Sequence, residues 1–366
     1  MRTRLAIPAA LVFALAACGN GDQQNIAADI SAPRVTAPTP SPGGSAALTP
    51  ATHEPTTTER VAEPVPERPK APLETQRVEL SWQAPDGESW QLDVVAPIPA
   101  AEGGWPVLVT FHGAARGTSA TVMSAAAKSG IVVVAPRWID PEWSVSNLNV
   151  MSSSVYVDGA AFDVARCALG AAQQAAGDYG GNPERTTVEG FSAGVHPAAW
   201  VGLGVVRDDP CPDVVTAAPI AMVLGDSQWV FQIDVWDDTF VDSTSRAADT
   251  VDRFLNPDRW TVPDEFVAYL WSTESSSTSR PVQNPPSEES WLRTRGGDDI
   301  VKDLDAIGAF DDESIGFLDN GRLQELRIQR TDIHVSHEEY PGGHDRKPEM
   351  IDKVIDLIWA QVAEDR

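Results

Sequence analysis

The chain has 366 residues and a formal net charge of −26 at pH 7, from 53 acidic and 27 basic side chains. An acidic surface of this size repels phosphate backbones and anionic lipid surfaces, so the composition argues against a nucleic acid partner. The length is ample for one large folded domain in addition to an N-terminal leader and a low-complexity segment.

The N-terminus has the pattern of an export signal. Arg2 and Arg4 precede an apolar run at 5–17, which is too short to span a bilayer and ends in small residues before Cys18. The pattern resembles bacterial lipoprotein signals, which implies cleavage before Cys18 and its lipidation by acyl chains such as palmitate. We therefore expect residues 1–17 to be a signal peptide, and the exported protein to be anchored to an extracytoplasmic membrane face through Cys18.

Residues 18–72 differ from the rest of the chain in composition, being rich in proline, alanine, threonine and serine with scattered charges. The segment lacks the apolar periodicity and the aromatic residues from which a core is built. We expect a disordered tether, partly in polyproline conformation. The folded domain should then occupy residues 73–366.

The domain begins with two alternating stretches, Gln76–Trp82 and Trp90–Val95, around a Pro-Asp-Gly turn, which predict a hairpin. The nearly continuous apolar run Trp105–Phe111 predicts a strand buried on both faces. It leads into a loop of small residues, 112–117, whose backbone N–H groups could face a cavity. A histidine in such a loop more often braces the turn than reacts, so we assign His112 no catalytic role.

Helices and strands then alternate with short connections. The patterns predict a helix at Thr118–Lys128, a buried strand at Ile131–Pro136 and a helix at Tyr156–Ala176. This order is typical of a mostly parallel sheet with helices on both faces, whose functional sites lie beyond the carboxyl ends of the strands.

The segment Val188–Gly194 has the pattern of a strand that delivers a serine into a tight turn before a helix. Gly190 and Gly194 flank Ser192 at two residues on either side, which is the G-x-S-x-G nucleophile elbow. So sharp a turn leaves no room for a Cβ atom at either glycine. The pattern alone also arises by chance in chains rich in glycine and alanine.

Three segments together resemble the esterase and lipase-like members of the α/β-hydrolase superfamily. They are Phe111–Ala114 after a central strand, Asp178–Gly194 around the elbow, and Glu339–His344 near the C-terminus, in the order of the family. The resemblance extends over residues 73–366 and is poor between 226 and 319. It implies a mostly parallel central sheet flanked by helices, with Ser192 as a catalytic nucleophile.

The resemblance implies that His344 is the general base, because it lies in a glycine-rich loop between a predicted last strand, Ile333–Tyr340, and a closing helix, Glu349–Ala363. A serine hydroxyl needs such a base to take its proton. The oxyanion hole should combine the backbone N–H of Ala193 with that of Gly113 or Ala114.

The other histidines of the domain fit structural roles better. His334 and His337 lie on one predicted strand but point to opposite faces, so they do not suggest a metal site. His196, one helical turn after the serine, is expected to pack within its helix. The sequence predicts no metal and no cofactor.

The acid that orients His344 has three candidates. Asp312 lies in a segment that resembles the region between acid and histidine in the family, and Glu274 follows a predicted strand, Phe266–Trp271. Asp311 is the third. These aspartates also belong to an acidic stretch that is typical of a solvated surface. We favour Asp312 and retain Glu274 and Asp311 as alternatives.

Two further features concern the middle of the domain. Residues 226–262 hold several aromatic residues among aspartates, and we expect a cap over the site whose aromatic side chains either line the substrate pocket or pack the cap onto the domain. Cys167 and Cys211 could form a disulfide in an oxidising compartment or remain two separate thiols.

The sequence therefore predicts a serine esterase that cleaves a small-molecule or lipid-like carboxylic ester through an acyl-enzyme. Two alternatives remain at this point: an amidase or peptidase of the same fold, and a surface lipoprotein that has the fold but serves as a binding module. The oligomeric state is not predicted.

Overall fold

The computed structural model describes the C-terminal domain with several gaps. The described residues are 64–85, 87–113, 120–138, 160–205, 211, 216–226, 257–274, 280–281, 302, 305–306, 314–315, 317–329, 331–346 and 348–364. The predicted signal peptide, Cys18 and most of the predicted cap lie outside them.

The helices and strands predicted from the sequence are present with small shifts at their ends, and the structure adds three strands that were not predicted, Ala221–Gly225, Arg280–Pro281 and Ser314–Ile315. In chain order they are β1 (Glu74–Gln83), β2 (Ser89–Ile98), β3 (Trp105–Phe111), α1 (Ala120–Lys128), β4 (Val132–Pro136), α2 (Ala160–Asp178), β5 (Gly181–Phe191), α3 (Val195–Gly202), β6 (Ala221–Gly225), β7 (Val267–Thr273), β8 (Arg280–Pro281), β9 (Ser314–Ile315), α4 (Phe317–Ile328), β10 (His334–Tyr340) and α5 (Pro348–Glu364). Short 3-10 turns occupy Ser192–Gly194 and Pro257–Arg259.

Eight of these strands form one sheet in the order β1-β2-β4-β3-β5-β6-β7-β10. Strand β2 is antiparallel to both of its neighbours, β1 and β4. The other six strands of the sheet are parallel to one another, namely β4, β3, β5, β6, β7 and β10. Strands β8 and β9 pair separately as a short antiparallel ladder.

The central strands are apolar because both faces of the sheet are covered. Every residue of β3 and of β6 is buried, as expected for parallel strands between helical layers. Two neighbouring residues of β5 show that both faces of the sheet are covered. Val188 faces α3, since a Cβ atom on Gly202 would stand 3.0 Å from its side chain. Glu189 faces the other way and lines a cavity together with residues of α1 and α5. The predicted fold class is confirmed as an α/β-hydrolase fold with a mostly parallel sheet flanked by helices.

The last residues of the predicted tether pack against the domain. The carbonyl oxygen of Pro64 accepts a hydrogen bond from the Arg185 guanidinium, and Val65 packs against the core. Arg68 forms a 2.7 Å ion pair with Asp356 of α5. Domain contacts therefore begin several residues before the predicted boundary at 73. Among the helices of the described ranges, none is long and apolar enough to cross a membrane.

Cys167 of α2 and Cys211, in the segment that follows α3, form a disulfide with their Cα atoms 5.7 Å apart. The two cysteines are separated by 44 residues in the chain. The bond ties the buried face of α2 to the connection that leads into β6, so it restricts a long loop of the unfolded chain.

We expect the Cys167→Ala/Cys211→Ala double variant to lose about 2–4 kcal/mol of unfolding free energy, because the unfolded chain regains the freedom of that loop. Urea denaturation followed by circular dichroism measures the loss. A reducing agent should destabilise the wild type and leave the double variant unaffected. Equal midpoints for wild type and variant under oxidising conditions would contradict the prediction.

Candidate active site

The polar residues singled out by the sequence meet at the carboxyl edge of the sheet. Gly113 follows β3, Ser192 follows β5 and His344 follows β10. Strands β6 and β7 lie between β5 and β10 in the sheet; Asp226 directly follows β6, and Thr273 is the last residue of β7. Parallel strands that end at one edge bring side chains far apart in sequence into one site.

The serine occupies the strained turn that the elbow pattern predicts. Ser192 has a φ of 55°, in the left-handed region that residues other than glycine rarely adopt. A Cβ atom on Gly190 would overlap the carbonyl oxygen of Gly194, and one on Gly194 would overlap that of Phe111. Both glycines are thus required by close backbone approach. Ser192 is 8% exposed at the end of this turn.

His344 is held by a buried carboxylate that was not predicted from the sequence. His344 Nδ1 lies 3.0 Å from Asp226 Oδ2. Asp226 directly follows β6, is fully buried and has a φ of 47°. The backbone N–H of Thr273 donates to Asp226 Oδ1 at 2.6 Å, and the Thr273 hydroxyl donates to Oδ2 at 2.8 Å. The strand next to that of the serine therefore supplies the acid.

These hydrogen bonds define the state of the imidazole. An ionised carboxylate only accepts hydrogen bonds, and both oxygens of Asp226 already accept from Thr273. Nδ1 of His344 must therefore carry its hydrogen and donate it to Oδ2. In the neutral ring with its hydrogen on Nδ1, the other nitrogen, Nε2, is an acceptor, as a general base requires.

Asp226 is not among the three acids predicted from the sequence. Glu274 follows β7, but its side chain is exposed and its backbone N–H donates to Tyr340 O at 3.0 Å. Asp311 and Asp312 lie outside the described residues. The carboxylate that contacts His344 is Asp226, which the sequence analysis had treated as the first residue of the cap. The signal that could have found it was the short apolar run Ala221–Gly225, which is followed at once by an aspartate.

The backbone of Gly113 borders the serine. A Cβ atom on Gly113 would stand 3.1 Å from both Phe191 O and Ser192 Cβ, and 3.6 Å from Ser192 Oγ. Ala193 is buried in the 3-10 turn that begins at Ser192. Of the three residues predicted for an oxyanion hole, Gly113 and Ala193 thus lie beside Ser192, while Ala114 lies outside the described residues.

His112 braces this loop, as the sequence analysis expected. Its Nδ1 lies 2.7 Å from Gly113 O, which as a carbonyl can only accept, so Nδ1 donates. Trp138 Nε1 donates to the carbonyl oxygen of His112 at 3.0 Å. Burial lowers the pKa of His112, which favours the neutral ring. The loop that carries Gly113 is thereby fixed from both sides.

A second serine, histidine and carboxylate lie together nearby. Ser272 Oγ is 2.5 Å from His337 Nε2, and His337 Nδ1 is 3.3 Å from Glu325 Oε2. Ser272 is fully buried, and a Cβ atom on Gly321 would stand only 2.6 Å from its hydroxyl. No substrate carbonyl can reach that oxygen, so the set links β7, β10 and α4 without forming a reactive site.

The remaining histidines have the structural roles expected for them. His196 is buried in α3, and burial lowers its pKa to about 4. His334 is exposed, whereas the His337 side chain is only 4% exposed, so the two do not converge. Within the described ranges, no three potential ligands are grouped as a metal site would require.

Comparison with known proteins gives fold-level likeness only. No family model and no curated protein matches the sequence. The chain is similar to one of two fungal esterases from Rhizomucor miehei, with 15% identity, a TM-score of 0.46 and coverage of 81% of this chain and 87% of the other. It is also similar to a hyperthermophilic esterase from Pyrobaculum calidifontis, with 15% identity, a TM-score of 0.45 and coverage of 80% of this chain and 87% of the other. A bacterial heroin esterase is similar as well, with 18% identity, a TM-score of 0.43 and coverage of 80% of this chain and 84% of the other.

We expect Gly194→Ala to destabilise the domain by about 1–3 kcal/mol, because the added methyl group overlaps a backbone oxygen that cannot rotate away. Gly177→Ala in α2 is the matched control, since its Cβ would meet only Pro183 Cγ at 3.8 Å. That variant should be as stable as the wild type or slightly more so. Chemical denaturation of both variants measures the difference in unfolding free energy. Equal losses of unfolding free energy in the two variants would contradict the expectation that Gly194 has no room for a Cβ atom.

Proposed function

We propose that the protein is a serine hydrolase that cleaves carboxylic esters, with Ser192 as nucleophile, His344 as general base and Asp226 as the acid that orients the base. The observation that carries the proposal is the 3.0 Å contact between His344 and a buried aspartate at the end of the strand beside the serine. The sequence motifs that resemble those of esterases support the ester class.

In the first half of the reaction, Ser192 Oγ attacks the ester carbonyl while His344 Nε2 takes its proton. The bond to the alcohol oxygen breaks, and His344 returns the proton to the leaving alcohol, which gives an acyl-enzyme. Water then attacks the acyl group in the same way and releases the acid. Asp226 stabilises the imidazolium that forms at each proton transfer.

The negative charge that develops on the carbonyl oxygen needs donors placed in advance. In this proposal, the backbone N–H groups of Gly113 and Ala193 supply them, because both residues border Ser192. Removal of one such donor in a serine hydrolase typically costs about 10²- to 10³-fold in turnover. The brace around His112 therefore matters for the rate, since it fixes the loop that holds Gly113.

We expect Asp226→Asn to lower kcat/KM for short-chain p-nitrophenyl esters on the order of 10⁴-fold. An asparagine must turn its NH₂ group either toward the Thr273 backbone N–H or toward the Thr273 hydroxyl and His344 Nδ1, so it cannot accept all three hydrogen bonds. Ser192→Ala should abolish both turnover and labelling by a fluorophosphonate probe.

Glu274→Gln is the matched control, because it makes the same chemical change at an exposed carboxylate that follows the neighbouring strand. It should retain turnover within about twofold. If Asp312→Asn lowered kcat/KM as much as is expected for Asp226→Asn, the assignment of Asp226 as the acid would be contradicted. Full activity of Ser192→Ala would refute the proposed function itself. Matched p-nitroanilides measure whether amides are also cleaved.

We further propose that the protein is exported and anchored to the membrane through Cys18. The support is the N-terminal sequence pattern together with the Cys167–Cys211 disulfide, since disulfides persist in extracytoplasmic compartments. We expect Cys18→Ser to move the protein from the membrane fraction to the soluble fraction and to remove metabolic labelling with palmitate. Retention of this variant in washed membranes would contradict a lipid anchor.

A further inference from the structure

A buried ion pair lies next to the proposed site and takes no part in the mechanism described above. Glu189 is on β5, three residues before Ser192, and its side chain is 5% exposed. Its Oε1 lies 2.9 Å from Arg346 Nη2, and its Oε2 accepts a hydrogen bond from the Thr110 hydroxyl of β3. Arg346 is two residues after His344, and its side chain is 12% exposed.

Arg346 contacts the strand of the serine a second time. Its guanidinium carbon lies 5.0 Å from the centre of the Phe191 ring, within the range of a cation–π interaction. Phe191 immediately precedes Ser192, and its ring stacks on the His344 imidazole with centroids 4.8 Å apart. One arginine thus contacts both the residue before the nucleophile and the carboxylate two positions earlier.

The loop that carries His344 is exposed where it leaves β10. Pro341, Gly342 and Gly343 are exposed, Gly342 has a φ of 106°, and a Cβ atom on Gly343 would have no neighbour within 4 Å. On its N-terminal side the loop is continuous with β10. Toward α5, the Glu189–Arg346 pair connects the loop to β5, in addition to the contacts of His344 with Asp226 and Phe191.

Both side chains of the pair are largely buried. A cavity of about 20 Å³ adjoins it, bounded by Leu108, Trp271 and Met350, with room for about one water molecule. Arg346 Nε and Nη2 are buried and make no hydrogen bond with the described side chains and backbone, so the 2.9 Å contact of Nη2 with Glu189 is an ion pair without hydrogen-bond geometry. The positive charge is therefore balanced by Glu189. A buried pair of this kind adds little net stability over an apolar pair, but removal of one partner leaves an uncompensated charge.

We propose that Glu189 and Arg346 are positioning residues that fix the His344 loop to the strand carrying Ser192, and so set the approach of the imidazole to the serine hydroxyl. This inference rests on the proposed function. Neither residue touches the substrate; both act through His344 and Phe191. Misplacement of a catalytic group by about 1 Å can cost on the order of 10²-fold in rate, which makes such an anchor valuable to the reaction.

The test uses Arg346→Met, Glu189→Gln and the double variant of the full-length protein. Each single variant leaves a buried charge unpaired, so both should lose stability and turnover. In the double variant no charge is left unpaired, and the amide oxygen introduced by Glu189→Gln can still accept from the Thr110 hydroxyl, so thermal stability should return close to that of the wild type. We expect its kcat to remain about 10- to 100-fold low with KM little changed, because the anchor is still missing.

The downfield proton resonance of the His344 Nδ1–H gives a readout that does not depend on turnover. It is assigned by its absence in Asp226→Asn, and it should broaden or disappear in the double variant as the loop loosens. Arg346→Lys keeps the positive charge but lacks the planar guanidinium group. Its turnover should therefore lie between that of Arg346→Met and that of the wild type. Arg322→Met is the matched control, since Arg322 pairs with Glu339 at the surface at 3.0 Å. It should leave kcat and the resonance unchanged.

The outcomes separate this inference from the proposed function. If Ser192→Ala is inactive but the double variant turns over at the wild-type rate with a sharp Nδ1–H resonance, the pair is only structural and the inference is wrong. If Ser192→Ala remains active, the proposed function fails, and the resonance alone decides whether the pair holds the loop. Should the single variants not fold, the double variant and Arg346→Lys still decide the question.

Discussion

The close approach of backbone at the elbow is the constraint on which the rest of the site depends. Gly190 and Gly194 let the chain after β5 fold back against itself and against the end of β3. The same contact places Gly113 beside Ser192, so a single steric requirement fixes both the nucleophile and one side of the proposed oxyanion hole. Larger residues at either glycine would move the two parts away from each other.

The carboxylate arrangement depends on the order of strands in the sheet. Strands β6 and β7 are neighbours, so Thr273 at the end of one can hold Asp226 at the end of the other through two hydrogen bonds. A fully buried carboxylate without such donors would be costly. Because Thr273 supplies a fixed backbone donor and a hydroxyl, Asp226 keeps one orientation and presents Oδ2 to His344. The orientation of His344 therefore depends on Thr273 of β7, which lies two strands away from β5, the strand that precedes Ser192.

The sequence was informative where a local steric or packing rule applies. The bounds of β3 agree with the apolar run Trp105–Phe111, and the glycines around Ser192 are required for the reason that the elbow pattern suggests. The acid could not be predicted in this way, since Asp226 and His344 are 118 residues apart and only sheet order makes them neighbours. The contact of Arg185 with Pro64 escaped prediction for the same reason, because neither partner stands out in its local sequence.

Among the described residues, the hydrogen-bonded set Ser272–His337–Glu325 can be compared with the proposed set Ser192–His344–Asp226, and the comparison indicates what distinguishes a candidate site from a structural link. Ser272 lies within a regular strand, is fully buried and is covered by Gly321 of α4. Ser192 stands in a left-handed turn beyond the end of its strand, next to the backbone of Gly113. In the proposed assignment, hydrogen-bond partners alone therefore do not make a serine reactive. A reactive serine also needs an exposed approach and backbone donors beside its oxygen, and these depend on its position at the edge of the sheet.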